Sequence, residues 1–201
     1  QDHQLREHPE DNHSADAQDQ AAYIGLQRPA NHVRLVAADH DAVGVGEEEV
    51  LPAGGYVVKV LDVAEQHYTW GDVLEISFDV IEGAYTGFFA ADYKNNPNEE
   101  KKWRGKFRLN EPKDDGSEMD GWTKKKFGGV IFAFEDSNPG FHWDWDETQL
   151  KGKTVGALFR DKEWEMNGNS GWTTECCTMI TADDVRQNRC KMPKSKPLAE
   201  K

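Results

Sequence analysis

The hydrophobic period of this chain changes between residues 137 and 160. Upstream, Phe127, Val130, Ile131 and Phe134 recur at three- and four-residue spacing. That spacing predicts a helix over Trp122–Phe134. Pro139-Gly140 marks where the helix has ended. Downstream, Thr154–Trp164 reads as a strand. Three strand-like stretches precede the helix and a second strand follows Thr154–Trp164. The expected fold is therefore mainly β: a five-stranded, partly open Greek-key barrel of the oligonucleotide-binding (OB-like) type, with one helix between strands three and four. Such a barrel supplies no reaction chemistry of its own. It offers a curved face on which a strand of nucleic acid can lie.

The individual strands rest on composition and alternation. Tyr56–Val63 is rich in β-branched residues and follows the turn-forming Pro52 and Gly54-Gly55. Asp72–Val80 alternates, with Leu74, Ile76, Phe78 and Val80 on one face and Val73, Glu75, Ser77 and Asp79 on the other, the pattern of a half-buried antiparallel strand. Phe88–Tyr93 and Lys106–Leu109 are taken as two arms of a third-strand region around the polar loop 95–102. Asn167–Gly171 signals a hairpin between Thr154–Trp164 and Trp172–Ile180. Thr181 is placed to cap a short helix, with Asp184 three residues on. Gly128-Gly129 costs the central helix roughly 1 kcal/mol per residue relative to Ala, so the pair suggests close packing against the sheet. Phe78, Phe107, Phe127 and Phe134 are expected in the core, with Trp143 and Trp145 packing among acids.

The chain has 201 residues and a net charge of -13, which argues against a polyanionic partner until its distribution is considered. Residues 1–50 hold 3 Lys+Arg against 11 Asp+Glu, and the rest hold 21 against 26. Affinity for nucleic acid follows the local field rather than the total. Residues 1–46 read as an acidic arm, either without packed structure or not native to the domain. Five of the seven histidines fall there, but His3, His8 and His13 are five residues apart and do not stack on a helix face as metal ligands would. Residues 47–190 form the expected barrel domain and 191–201 a basic tail. No stretch of about 18 apolar residues is present, so no membrane partner is expected. Three cysteines make no disulfide framework, and the expected location is the bacterial cytoplasm.

Several motifs together resemble a bacteriophage protein family of unassigned function, labelled single-stranded-DNA-binding-like and found with phage replication and recombination genes. They are Leu51-Pro52-Ala53-Gly54-Gly55-Tyr56, Glu82-Gly83 with Tyr85 and Gly87-Phe88, Glu135–Phe141 with Trp143-Asp144, Leu150-Lys151-Gly152-Lys153 with Val155-Gly156, and Thr181–Arg186 followed by Met192-Pro193. The resemblance covers roughly residues 48–196. It implies a single-stranded DNA-binding role and no catalytic signature. Bacterial single-stranded-DNA-binding proteins end in an acidic tip that recruits partners, whereas this chain ends in the basic stretch Lys194–Lys201.

Single-stranded nucleic acid is held by aromatic faces that stack on bases, flanked by cations that follow the phosphates. Three places interleave the two. Lys101-Lys102-Trp103-Arg104-Gly105-Lys106-Phe107-Arg108 is the densest. Strand alternation puts Arg160, Lys162 and Trp164 on one face, with Trp172 across the hairpin. Tyr68 and Trp70 form the third place. The expected stacking residues are Trp103, Trp164 and Trp172. The expected phosphate contacts are Lys101, Lys102, Arg104, Lys106, Arg108, Arg160 and Lys162. Lys124-Lys125-Lys126 reads as a solvated face or a further phosphate contact. Asp144, Asp146 and Glu147 lack a second acidic motif to complete a metal-dependent nuclease centre. Cys176 and Cys177 point to opposite strand faces and cannot share an ion. No cofactor is implied, and the expected protein is not an enzyme. The partner read from these residues is single-stranded DNA, with replication or recombination proteins beside it and self-association left open. The alternative is a protein-interaction module using the same face.

Overall fold

The computed structural model describes residues 50–199; the N-terminal arm and its histidines lie outside them. One five-stranded antiparallel sheet dominates, in the order β3-β2-β1-β4-β5. Its strands are β1 (Gly54–Tyr68), β2 (Gly71–Val80), β3 (Lys106–Asn110), β4 (Thr154–Met166) and β5 (Asn169–Ile180). Three helices accompany them: α1 (Phe88–Asn95), α2 (Glu118–Ser137) and α3 (Ala182–Arg186), with a 3-10 turn at Glu147–Leu150. β3 and β5 are the two edges, and no ladder joins them, so the sheet is open.

β1 serves two partners. Gly54–Lys59 pairs with β4, and Val58–Tyr68 pairs with β2. An irregularity between Val60 and Asp62 sends the strand from one pairing to the other and leaves Leu61 exposed. A bulge of this kind bends a strand and increases its twist. The core forms on one face of the sheet from Leu74, Ile76, Phe78 and Val80, as their alternation predicts, together with Phe107, Leu109, Phe127, Phe134 and Phe159. Phe78, Phe107, Phe127 and Phe134 are all buried.

The turn chemistry of the segment 137–154 is structural. Asn138 donates from its amide to the carbonyls of Phe134 and Thr154 and accepts from the Thr154 N–H, so one side chain ends α2 and pins the start of β4. The Ser137 hydroxyl accepts from the Ala182 N–H at the start of α3. Thr181 caps that helix by accepting from Asp184 N–H at 3.1 Å.

Two expectations are corrected. Phe88–Tyr93 is not a strand arm but the body of α1. The carboxylate of Asp79, buried at the end of β2, accepts the N–H groups of Val80 (2.8 Å), Phe89 (3.0 Å) and Ala90 (3.1 Å). It thereby satisfies helix N-terminal donors that Gly87, which has no side chain, leaves open. Gly128-Gly129 does not pack against the sheet. A Cβ at either position would meet nothing within 4 Å.

Candidate nucleic-acid interface

At the open seam, β3 and β5 approach one another without hydrogen bonding. A groove of about 470 Å³ lies between them. Its floor is apolar, from Leu51, Phe88, Phe89, Phe107 and Phe159. Its walls carry Arg104, Lys106 and Arg108 from the β3 side, Lys126 from α2, and Arg160 with Glu175 from the β4–β5 side. Four of the expected phosphate contacts, Arg104, Lys106, Arg108 and Arg160, thus line one cavity although they come from two distant stretches of chain.

Carboxylates are interleaved with these cations. Glu75 on β2 lies opposite Arg108 and takes ion pairs from Lys106 and from Arg108 (3.0 Å). The hydrogen bond from Lys106 holds the Glu75 carboxyl below its ordinary range; burial opposes this and Arg108 reinforces it. Glu175 accepts from Arg160 (2.7 Å) and Lys162 (2.9 Å), with Lys196 at 3.7 Å. Burial alone would raise the Glu175 carboxyl, but Lys162 and Arg160 outweigh it and hold it low. Arg104 pairs with Asp92 on α1 at 3.0 Å. Lys126 has no carboxylate partner among the described residues and lies over the Phe107 ring at 5.4 Å. Each cluster is cation-rich: two cations to one acid at Glu75, three to one at Glu175. The groove lining thus holds more cations than acids although the whole chain is acidic.

The aromatic expectations fare unevenly. Trp103 is tucked against the core. Its indole N–H donates to the carbonyls of Phe78 and Gly105, each at 3.1 Å, and its ring lies 5.9 Å from that of Tyr93. It is a packing residue that ties the approach to β3 onto β2, not an outward platform. Trp164 and Trp172 do not share a face. The register pairs Trp164 with Gly171 and Glu163 with Trp172, and directly opposed residues share a side of the sheet. The Trp164 ring lies over Gly171, beside Lys162 and Arg160, whereas Trp172 stands on the face of Glu163 and Asp161. Lys101 donates to the Asn96 carbonyl and covers the Tyr93 ring, away from the groove lining. Lys102 is exposed beside it.

The basic tail runs along β4. Lys196 accepts from the Glu163 N–H (2.9 Å) and donates to the Asp161 carbonyl (2.8 Å), which adds its ammonium to the Glu175 cluster. The sequence offered Lys124-Lys125-Lys126 as a solvated face or a phosphate contact and residues 191–201 as a basic tail, but not which lysine of the run turns toward the seam or where the tail lies; the Phe88-Phe89 floor was not read from it.

At the β1–β2 turn, Tyr68 and Trp70 stack with centroids 5.0 Å apart and planes 7° from parallel, and both are exposed. Their neighbours are acidic. His67 Nδ1 lies 2.9 Å from Asp72, and its Nε2 lies 3.9 Å from Glu65. The Asp72 hydrogen bond, with Glu65, raises the imidazole above its ordinary value. Glu65, His67 and Asp72 are the one trio among the described residues whose ligand atoms lie within 4.8 Å of one another, and all three are exposed. A phosphate chain would be repelled here.

No family model and no curated protein matches this chain. No helix among the described residues is long and apolar enough to cross a membrane.

Proposed function

We propose that the chain is a non-catalytic single-stranded DNA-binding protein with an OB-like, Greek-key arrangement, acting in phage replication or recombination. The strand order, the approach of β3 to β5 and the placing of α2 between β3 and β4 support the barrel reading. One observation carries the DNA reading. Cations from Arg104–Arg108 and from Arg160 converge on a single groove with an aromatic floor. A flexible polyanion suits that groove: phosphates would exchange with the carboxylates of Glu75 and Glu175, and Trp164 would stack at the far end beside Lys162. The lodged carboxylates make binding modest and salt-sensitive.

The same carboxylates favour a second reading, in which the groove receives a protein partner whose own charges interleave with these pairs. Salt separates the two readings. Four phosphate contacts to single-stranded DNA give a slope of about −3 in log K against log salt, while a protein interface anchored by apolar groups need not respond. Titration of the intrinsic tryptophan fluorescence with an oligothymidine at low and moderate salt is the test. Saturable quenching that weakens with salt and is lost in the Arg108→Glu, Arg160→Glu double variant supports DNA binding. Unchanged binding in that variant, or none at low salt, refutes it.

A further inference from the structure

A second groove, of about 490 Å³, runs along α2 between that helix, the end of β5 and the start of α3, and meets the seam groove at Lys126. We propose that it docks an acidic, apolar-bearing peptide segment of a partner protein. Three independent features of the groove converge on that occupant.

The first is an apolar stripe without a partner. Trp122 and Phe132 line the groove and are 63% and 60% exposed. Their opposite wall is Met179 and Ile180 of β5. Large side chains left outside on a helix flanked by a groove match the way helical or extended peptides are received. The second is Gly129, in the middle of that stripe. A helix-interior glycine is unfavourable, and here nothing inside the molecule requires one, because a Cβ would meet no atom within 4 Å. A glycine at such a place allows another backbone to come close.

The third is charge. Lys125 and Lys126 both line the groove, and neither has a carboxylate partner among the described residues. They lie instead over the rings of Trp122 (5.9 Å) and Phe107 (5.4 Å). The acid on the groove wall, Asp184, is already engaged by Arg189 at 3.0 Å. In a chain of net charge -13, an apolar groove rimmed by the Lys125 ammonium, with the Lys126 side chain on its wall, selects an occupant that carries carboxylates beside its apolar anchors. Lys126 also lines the seam groove, so an occupant that engages it draws on a cation that the seam shares.

The test uses the full chain and a fluorescein-labelled twelve-residue peptide of Asp with Leu and Phe at helical spacing. Two control peptides replace Asp by Lys, or Leu and Phe by Ser. The expected result is saturable binding of the first peptide alone, read by anisotropy. Amide shifts should be confined to 122–133 and 178–184. Lys125→Glu, which lies outside the seam groove, should weaken binding about tenfold, the effect of one lost charge contact at 1.4 kcal/mol. Gly129→Leu, a change compatible with a helix, should abolish it. Equal binding of the Lys peptide or the Ser peptide would overturn the proposal. So would wild-type affinity in both variants, or sedimentation showing a dimer that Phe132→Ser dissociates. Failure of the oligothymidine titration would leave these outcomes unaffected, because Lys125 and Gly129 do not line the seam.

Discussion

Replacing Asp79 by Ala removes one carboxylate that serves three backbone donors. Two of them, the N–H groups of Val80 and Phe89, belong to residues only 1% and 5% exposed, so water cannot replace the lost acceptor. A stranded buried donor costs about 1–3 kcal/mol. The Ala90 N–H lies on an exposed residue and rehydrates at small cost. Two stranded donors therefore destabilise by about 2–6 kcal/mol, and partial relaxation of α1 puts the expected loss near 3 kcal/mol. With a urea dependence of about 2 kcal/mol per molar, the unfolding midpoint falls by about 1.5 M. Asp79→Asn keeps the oxygen that serves Val80 and Phe89 and turns an amide toward Ala90. Its expected loss is about 1–1.5 kcal/mol, in the range of a missing helix cap. The assay is urea denaturation followed by far-UV circular dichroism for both variants. A midpoint for Asp79→Ala within about 0.3 M of wild type would refute the argument that this carboxylate holds the start of α1. Because Phe88 and Phe89 form part of the seam floor, the same variant is expected to weaken any ligand held there.

Gly105→Ala would put a Cβ 2.7 Å from the Phe89 ring and closer still to the Phe78 carbonyl oxygen; overpacking of about 3 kcal/mol is expected, and a wild-type calorimetric melting temperature would reject it. Gly129→Ala should do the opposite, raising stability by about 1 kcal/mol and the melting temperature by about 2–4 °C, whereas a fall would show that something packs against that position. The Glu75 carboxyl is held low chiefly by Lys106. Its stabilising contribution is therefore fully present above the unfolded value near 4.5 and is lost as pH falls through the lower folded value. Urea midpoints of wild type and Glu75→Gln should converge as the pH is lowered through that window, and a difference that stays constant with pH would contradict the pairing.

Much of the local structure was legible because short-range chemistry dictates it. Alternation in Asp72–Val80 places Ile76 and Phe78 inside. Asn167-Gly168 adopts two successive left-handed conformations, φ 53° and 79°, the geometry that an Asn-Gly hairpin turn requires. Thr181 caps because its hydroxyl reaches a donor three residues on. The start of α1 was not legible. Its capping group is ten residues upstream on a strand, and Phe88-Phe89 carries the aromatic composition of a strand. The faces of Trp164 and Trp172 depend on the turn. A two-residue turn pairs even-numbered positions of β4 with odd-numbered positions of β5, so two even-numbered tryptophans fall on opposite sides. Alternation within one strand does not carry that information across the hairpin. Trp103 sits among cations in the sequence, yet the carbonyls that hold its indole belong to Phe78 and Gly105, and only the pairing of β3 with β2 brings Phe78 there.

The amino-acid order by itself determined the β-rich character of residues 50–199, the long helix, the turns and the clustering of cations in two stretches, because each depends on side chains a few positions apart. Which cations meet was decided by the tertiary structure. The order β3-β2-β1-β4-β5 leaves β3 and β5 as facing edges, and that alone brings Lys106 and Arg108 toward Arg160, sets Glu75 and Glu175 among them, and turns Lys126 into the same groove. Electrostatic fields act through space, and the distances that govern them do not exist until the strands have paired.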